Sequence, residues 1–244
     1  MSQQPFQFKK FKVHQDRCAM KVGTDGVLLG AWSSIEHEPK SILDIGAGTG
    51  VVALQLAQRS SASTIDAIEI DDQAHEQCTH NFENSDWADR LFCYHASVQE
   101  FASEMEHKYD LIVSNPPFFK APKSTGSQTQ NTSQERAVAR FTDTLPFKHL
   151  VVCAAHLLSQ NGVFCTILPH KEADSFIEIA AQNKLFISKI CTIRGIKTSK
   201  IKRCLLAFST RQSKPKTQEL TIEISRHNYT QEYKNLVSDF YVKM

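Results

Sequence analysis

Nowhere in this 244-residue chain is there a run of about 18 apolar residues, no Cys-x-x-Cys pair occurs, and no acidic residue falls between positions 184 and 216. The first absence leaves no segment fit to span a bilayer. Residues 1–17 lack an apolar core and a small-residue cleavage pattern, so no signal peptide is expected and the protein belongs in the cytoplasm. Seven scattered cysteines, an odd number, argue against a disulfide framework and against a zinc site, and most stand in apolar runs where a thiol acts as a small core residue. Ten histidines are equally dispersed, none paired at ligand spacing, so no metal is expected.

The missing acids matter more, because charge in this chain is segregated. Net charge is only +2, yet residues 184–216 hold ten basic side chains, while residues 36–107 hold fourteen acidic and three basic ones. One basic face of that kind is a footprint for a polyanion, nucleic acid above all, or else a solvated lysine surface.

With 41% hydrophobic residues the chain has enough apolar material for one sizeable core. Apolar strand-like runs at 41–45, 64–70, 91–95, 109–114 and 163–168 alternate with helical patterns at 51–58, 72–84, 98–106, 146–159 and 171–183. That rhythm predicts an α/β fold, a mostly parallel sheet with helices on both faces. Residues 186–193 and 204–209, joined by a basic segment, would close it as an antiparallel pair, giving seven strands. We expect a short N-terminal cap (1–40), a core (41–211) and a small C-terminal extension packed on it (212–244). The extension would start with a linker at 212–218, followed by a strand at 220–224 and an amphipathic stretch at 231–241. Residues 121–134, rich in Ser, Thr, Gln and Gly, read as a mobile loop.

Two motifs carry chemistry. In Leu43-Asp44-Ile45-Gly46-Ala47-Gly48-Thr49-Gly50 the glycines permit a sharp turn and close backbone approach to a ligand, with a helix N-terminus behind. The third glycine follows the second by two residues rather than three, unlike a dehydrogenase fingerprint. Asp44 would sit badly beside a pyrophosphate and well beside the cationic amino acid of S-adenosylmethionine. Glu69 ends the next strand, where a carboxylate can accept from both ribose hydroxyls, and Asp71 is the alternative for that role.

The second motif, Asn115-Pro116-Pro117-Phe118, follows the carboxyl end of a strand, the ligand-binding edge of an open α/β sheet. An amine on an aromatic ring is a poor nucleophile because its lone pair is delocalised. Acceptance of its two hydrogens by the Asn115 side chain and the Pro116 carbonyl would restore that lone pair, while Phe118 stacks on the ring. Placement and hydrogen bonding then replace a general base.

Together these motifs resemble the class I S-adenosylmethionine-dependent amino-methyltransferases with an Asn/Asp-Pro-Pro-aromatic signature. That signature is shared by adenine-N6, guanine-N2 and protein glutamine-N5 enzymes. The segment from Asp16 to Trp32 (DRCAMKVGTDGVLLGAW) is similar to the bacterial family that methylates N6 of adenosine 37 beside the anticodon of valine tRNA. Ala139-Arg140-Phe141-Thr142, Cys153-Ala154-Ala155, Leu205-Leu206-Ala207-Phe208, Asn228-Tyr229-Thr230 and Phe240-Tyr241 extend the likeness over nearly the whole chain. The resemblance implies a Rossmann-like fold, a monomer, and tRNA as partner. It also implies that Thr24 and Asp25 close over the methionine end of the cofactor and that Lys21 lies near the catalytic mouth. Where relatives often carry an Asp toward the adenine amino group, this chain has Ala96-Ser97-Val98, leaving Ser97 as the acceptor. For the RNA backbone the candidates are Lys120, Lys123, Arg136 and Arg140 around the loop, and Lys197, Lys200, Lys202 and Arg203 in the basic segment. The alternatives are another amino acceptor, guanine N2 or a protein glutamine, and an RNA-binding protein that retains the fold without catalysis.

Overall fold

The computed structural model describes residues 4–117 and 146–243. Phe118, Lys120, Lys123, Arg136, Arg140 and the expected loop at 121–134 lie outside the described residues.

Among these, eleven strands and seven α-helices follow in the order β1 (Phe6–Gln7), β2 (Lys12–Val13), α1 (Thr24–Trp32), β3 (Ser41–Ile45), α2 (Val51–Arg59), β4 (Thr64–Glu69), α3 (Asp72–Glu83), β5 (Leu91–His95), α4 (Val98–Glu104), β6 (Tyr109–Ser114), α5 (Phe147–Leu157), β7 (Leu158–Pro169), α6 (Ala173–Gln182), β8 (Phe186–Ile196), β9 (Arg203–Ser209), β10 (Lys216–Ser225), β11 (Asn228–Tyr229) and α7 (Gln231–Val237). A 3-10 turn, His170–Glu172, links β7 to α6. None of the described helices is long and apolar enough to cross a membrane.

β1 and β2 form a small hairpin; the other nine strands form one sheet, ordered β11-β10-β8-β9-β7-β6-β3-β4-β5. β9 is antiparallel to both β7 and β8, which is the closing pair expected from the sequence. The sheet does not stop at seven strands. β10 pairs in parallel with β8 from Lys216↔Lys189 to Glu223↔Ile196, so residues 216–218 are strand rather than linker. Its first four residues are exposed, and such a strand at a sheet's margin carries little of the apolar alternation that betrays a buried one.

Side chains alternate across the sheet. Ile42 joins the core beneath α1, α2 and α7, whereas Leu43 and Ile45 join the core beneath α4, α5 and α6. Asp44 therefore shares the face of Ile42, under α1 and α2. All of the parallel strands end at one edge, and the 197–202 turn between β8 and β9 emerges there too. At the rear of the α1 face, the two ends of the chain meet. Phe8 bridges to Tyr241, the Lys9 amide donates to the Phe240 carbonyl at 2.8 Å, and Phe8 stacks on Phe11.

Candidate active site

The turn after β3 is fastened to β4, with the Gly46 and Ala47 amides donating to the Ile68 carbonyl at 2.9 and 3.1 Å. Gly46, Gly48 and Gly50 have φ of 73°, 56° and 78°, a region costly for residues with a Cβ. The space around them differs. A Cβ at Gly46 or Gly48 would meet nothing within 4 Å, whereas one at Gly50 would strike Phe82 at 2.6 Å and Cys78 at 2.8 Å. Gly50 lets α2 approach α3; the other two line an open cradle.

Two carboxylates flank this cradle. Asp44 is 1% exposed and accepts the Ala53 amide of the first turn of α2 at 3.2 Å, a partner for a helix end whose cap residue, Gly50, has no side chain. Burial, with a smaller push from Glu69, raises its carboxyl from 3.8 to about 7. Glu69 is occupied: one oxygen accepts the Gly48 amide at 2.8 Å, the other the Ile70 and Asp71 amides at 2.9 and 3.0 Å. Of roughly four lone-pair sites on a carboxylate, three are taken by backbone. Acceptance from two ribose hydroxyls therefore requires Glu69 to release an amide. Asp71, the alternative, caps α3 by accepting the Ala74 amide at 2.8 Å.

Ser97 is engaged locally. Its hydroxyl donates to Glu100 at 2.7 Å and accepts the Glu100 amide at 3.2 Å, a capping box that starts α4 and leaves one lone pair with which the hydroxyl can still accept a hydrogen bond. Glu100 is held below the usual carboxylate range by the Ser97 side-chain and backbone hydrogen bonds.

The segment leading into α1 hangs on α3. Asn81, 2% exposed, accepts the His14 amide at 2.8 Å and donates to the His14 and Thr49 carbonyls at 2.9 Å each, joining this segment to the glycine turn. Gln77 accepts the Arg17 amide at 3.1 Å, and Gln15 accepts the Val22 amide at 2.9 Å. Burial and the nearby Glu69 and Asp71 carboxylates push the Cys18 thiol up to about 12, so the segment passes close to the end of β4. Neither Asn81 nor Gln77 was singled out in the sequence. The signal was available: Ala74, Gln77, Cys78, Asn81 and Phe82 share one helical face.

Lys21 is exposed beside α1, whose cap residue is Gly23 rather than Thr24. Asp25, in the first turn, accepts from Arg203 Nε at 2.8 Å. Two residues expected to serve different ligands, one the cofactor and the other the RNA backbone, thus hold each other. Lys197, Lys200 and Lys202 stand exposed on the β8–β9 turn.

Asn115 follows β6, which pairs with β3 up to Ile45↔Ser114, so Asn115 and the glycine turn leave neighbouring strands at the same level of the sheet. Asn115 Oδ1 is shielded from solvent and has no hydrogen-bond partner among the described residues. Pro116 behind it is buried, and no peptide bond described is cis. No group of three or more His, Cys, Asp or Glu side chains suited to a metal occurs among the described residues.

Residues 26–142 match the family described as "Methyltransferase small domain". A protein of Christiangramia forsetii named tRNA1(Val) (adenine(37)-N6)-methyltransferase is 55% identical over the whole of both chains. The chain belongs to this methyltransferase family. A relative of the same name in Flavobacterium psychrophilum is 53% identical over 98% of this chain and all of its own, and one in Yersinia enterocolitica is 40% identical over 97% and 92%. The fold matches a predicted O-methyltransferase of Agrobacterium tumefaciens with a TM-score of 0.66, 16% identity and coverage of 88% of this chain and 96% of that one. A ribosomal protein L11 methylase of Lactobacillus delbrueckii matches at 0.52, also 16% identical, over 77% of each chain.

The residues of the cradle fit S-adenosylmethionine. Asp44 is a buried carboxylate for which no cation is among the causes of its shift, so a ligand's ammonium would supply the missing counter-charge. Gly46 and Gly48 leave room that a Cβ would fill.

Proposed function

We propose that this protein transfers the methyl group of S-adenosylmethionine to N6 of adenosine 37 in valine tRNA, as a monomer in the cytoplasm. The observation that carries the reading is the unpartnered, solvent-shielded Oδ1 of Asn115 beside the glycine turn. A buried acceptor without a donor costs about 1–3 kcal/mol, and an incoming N–H removes that cost. The names of the full-length relatives supply the acceptor base.

When bound, S-adenosylmethionine supplies an electrophilic methyl on a sulfonium. Asp44 orients the amino-acid end, and Glu69, after exchanging an amide, takes the ribose. Asn115 Oδ1 and the Pro116 carbonyl accept the two hydrogens of the adenine amine, turning its lone pair out of the ring and toward the methyl carbon. Prolines at 116 and 117 offer no amide to compete for those acceptors. The nitrogen would bond to the methyl carbon as the carbon–sulfur bond breaks and its electron pair stays on sulfur, leaving a neutral thioether; the proton would then pass from the cationic nitrogen to water, so no side chain has to act as base.

Nucleoside mass spectrometry of valine tRNA incubated with the protein should show N6-methyladenosine at position 37. Asn115→Ala should cut the rate about 10²–10³-fold or more while cofactor affinity and melting temperature hold. Full activity in that variant would overturn the mechanism; label in guanine or in protein would move the acceptor.

A further inference from the structure

Beside the catalytic edge, the end of β7 and the start of β9 enclose a hollow of about 380 Å³ lined by Pro169, His170, Lys171, Asp174, Ile201, Lys202 and Arg203. We infer that this hollow receives a backbone phosphodiester of the RNA strand flanking the methylated base, a deepening that rests on the tRNA reading above. Sequence patterning flagged Lys202 and Arg203 but not the 3-10 turn that faces them.

Three observations support it. The first is position: Pro169 and Arg203 are register partners, β9 lies beside β7, and β7 beside β6, which carries Asn115 at its end. Two inter-strand spacings, about 10 Å, separate the hollow from the acceptor site, so a strand whose base is turned out toward Asn115 runs past it.

The second is rigidity. The His170 amide donates to the Lys202 carbonyl at 3.1 Å, and the Lys202 amide donates to the Ile193 carbonyl at 2.9 Å, so both rims are tied together through main chain. Arg203 is anchored by Asp25, which fixes the guanidinium plane beforehand.

The third is chemistry. Cys204 Sγ lies 3.3 Å from His170 Nδ1, a contact that ties the imidazole to β9, and burial pushes that thiol up to about 11. Lys171 has an exposed partner in Glu172 at 3.6 Å, a contact that water screens. Asp174 is the one acid of the lining. Arg203 is already engaged by Asp25, so Lys202 and Lys171, the latter only loosely paired, are the positive groups the hollow offers a phosphodiester, against the single carboxylate of Asp174.

The test uses the full chain and a synthetic anticodon stem-loop, with binding measured across a salt series. Lys171→Ala with His170→Ala should weaken binding about tenfold and reduce the salt slope by about 0.7, at unchanged cofactor affinity. Asp174→Asn should act in the opposite direction and tighten binding two- to threefold, a result no folding defect imitates. If both variants bind the stem-loop as the unaltered protein does, the hollow is not a phosphate site, whereas the tRNA reading stands provided the unaltered protein methylates the RNA. Absence of methyl transfer by the unaltered protein would instead remove the tRNA reading itself.

Discussion

The glycine turn and the basic edge lie on the same side of one sheet and are built in opposite ways. Around the turn, polar groups are buried or half-buried and already engaged: Asp44 with Ala53, Glu69 with three amides, Asn81 with His14 and Thr49. At the edge, Lys197 and Lys200 project into solvent. A small donor molecule has to be oriented to a fraction of an ångström, which favours preformed, desolvated contacts. A long polyanion gains most of its affinity from released counterions, which exposed lysines supply without fixed geometry.

Asp44→Asn should break this contrast hardest. Removing the buried charge should cost cofactor affinity about 2–5 kcal/mol, the loss expected for truncating one partner of a buried charge pair, readable by calorimetry. The empty protein should respond with the opposite sign. The native carboxyl, raised to about 7 from 3.8, binds its proton more tightly than the unfolded chain does. Its contribution to stability is thus complete below pH 4 and is lost as pH rises to 7. In the ligand-free protein, Asp44→Asn should accordingly raise stability by up to about 4 kcal/mol at pH 8, and by almost nothing at pH 4. In the unaltered protein, cofactor affinity should climb as pH approaches 7, because a protonated Asp44 has no charge to offer the ammonium.

The glycines divide next. Gly50→Ala forces a Cβ into Phe82 and Cys78, so melting should show a loss of about 2–4 kcal/mol. Gly48→Ala meets open space and should cost only about 1–2 kcal/mol of backbone strain while weakening cofactor binding by more than that. Equal losses in folding at the two positions would dissolve the distinction between packing glycine and cradle glycine.

Asn81→Ala should cost about 2–3 kcal/mol for three lost hydrogen bonds. The accompanying rise in hydrogen exchange should be confined to residues 14–22 and the glycine turn. The smallest change is expected from Lys197→Ala with Lys200→Ala, about tenfold in RNA affinity, with the salt slope reduced by about 0.7 per lost phosphate contact. Loss of cofactor affinity in that pair would show that the two regions are not separable.

How far these features were legible before the structure depended on how locally they are determined. The glycine turn follows from three consecutive backbone demands within eight residues, and the Asn-Pro-Pro turn from two prolines after an apolar strand. The helix-capping roles of Ser97 and Asp71 were not legible because serine and aspartate at the end of a strand suit a ligand contact and a helix cap equally. Arg203 and Asp25, 178 residues apart, could not be paired from spacing. β10 was shortened to a stub because a strand exposed over its first residues has almost no hydrophobic signature.

The meeting of Phe8 with Tyr241, and of Lys9 with Phe240, makes the polypeptide nearly a closed ring. A short peptide joining those two points would have little distance to span, and the ring could instead be cut at residues 211–214, which are exposed and lie between β9 and β10. A permutant of this kind preserves every contact of the cradle and the edge, yet begins with the strand at the sheet's outer margin, so the order in which the segments emerge during synthesis can be rearranged without altering the catalyst they form.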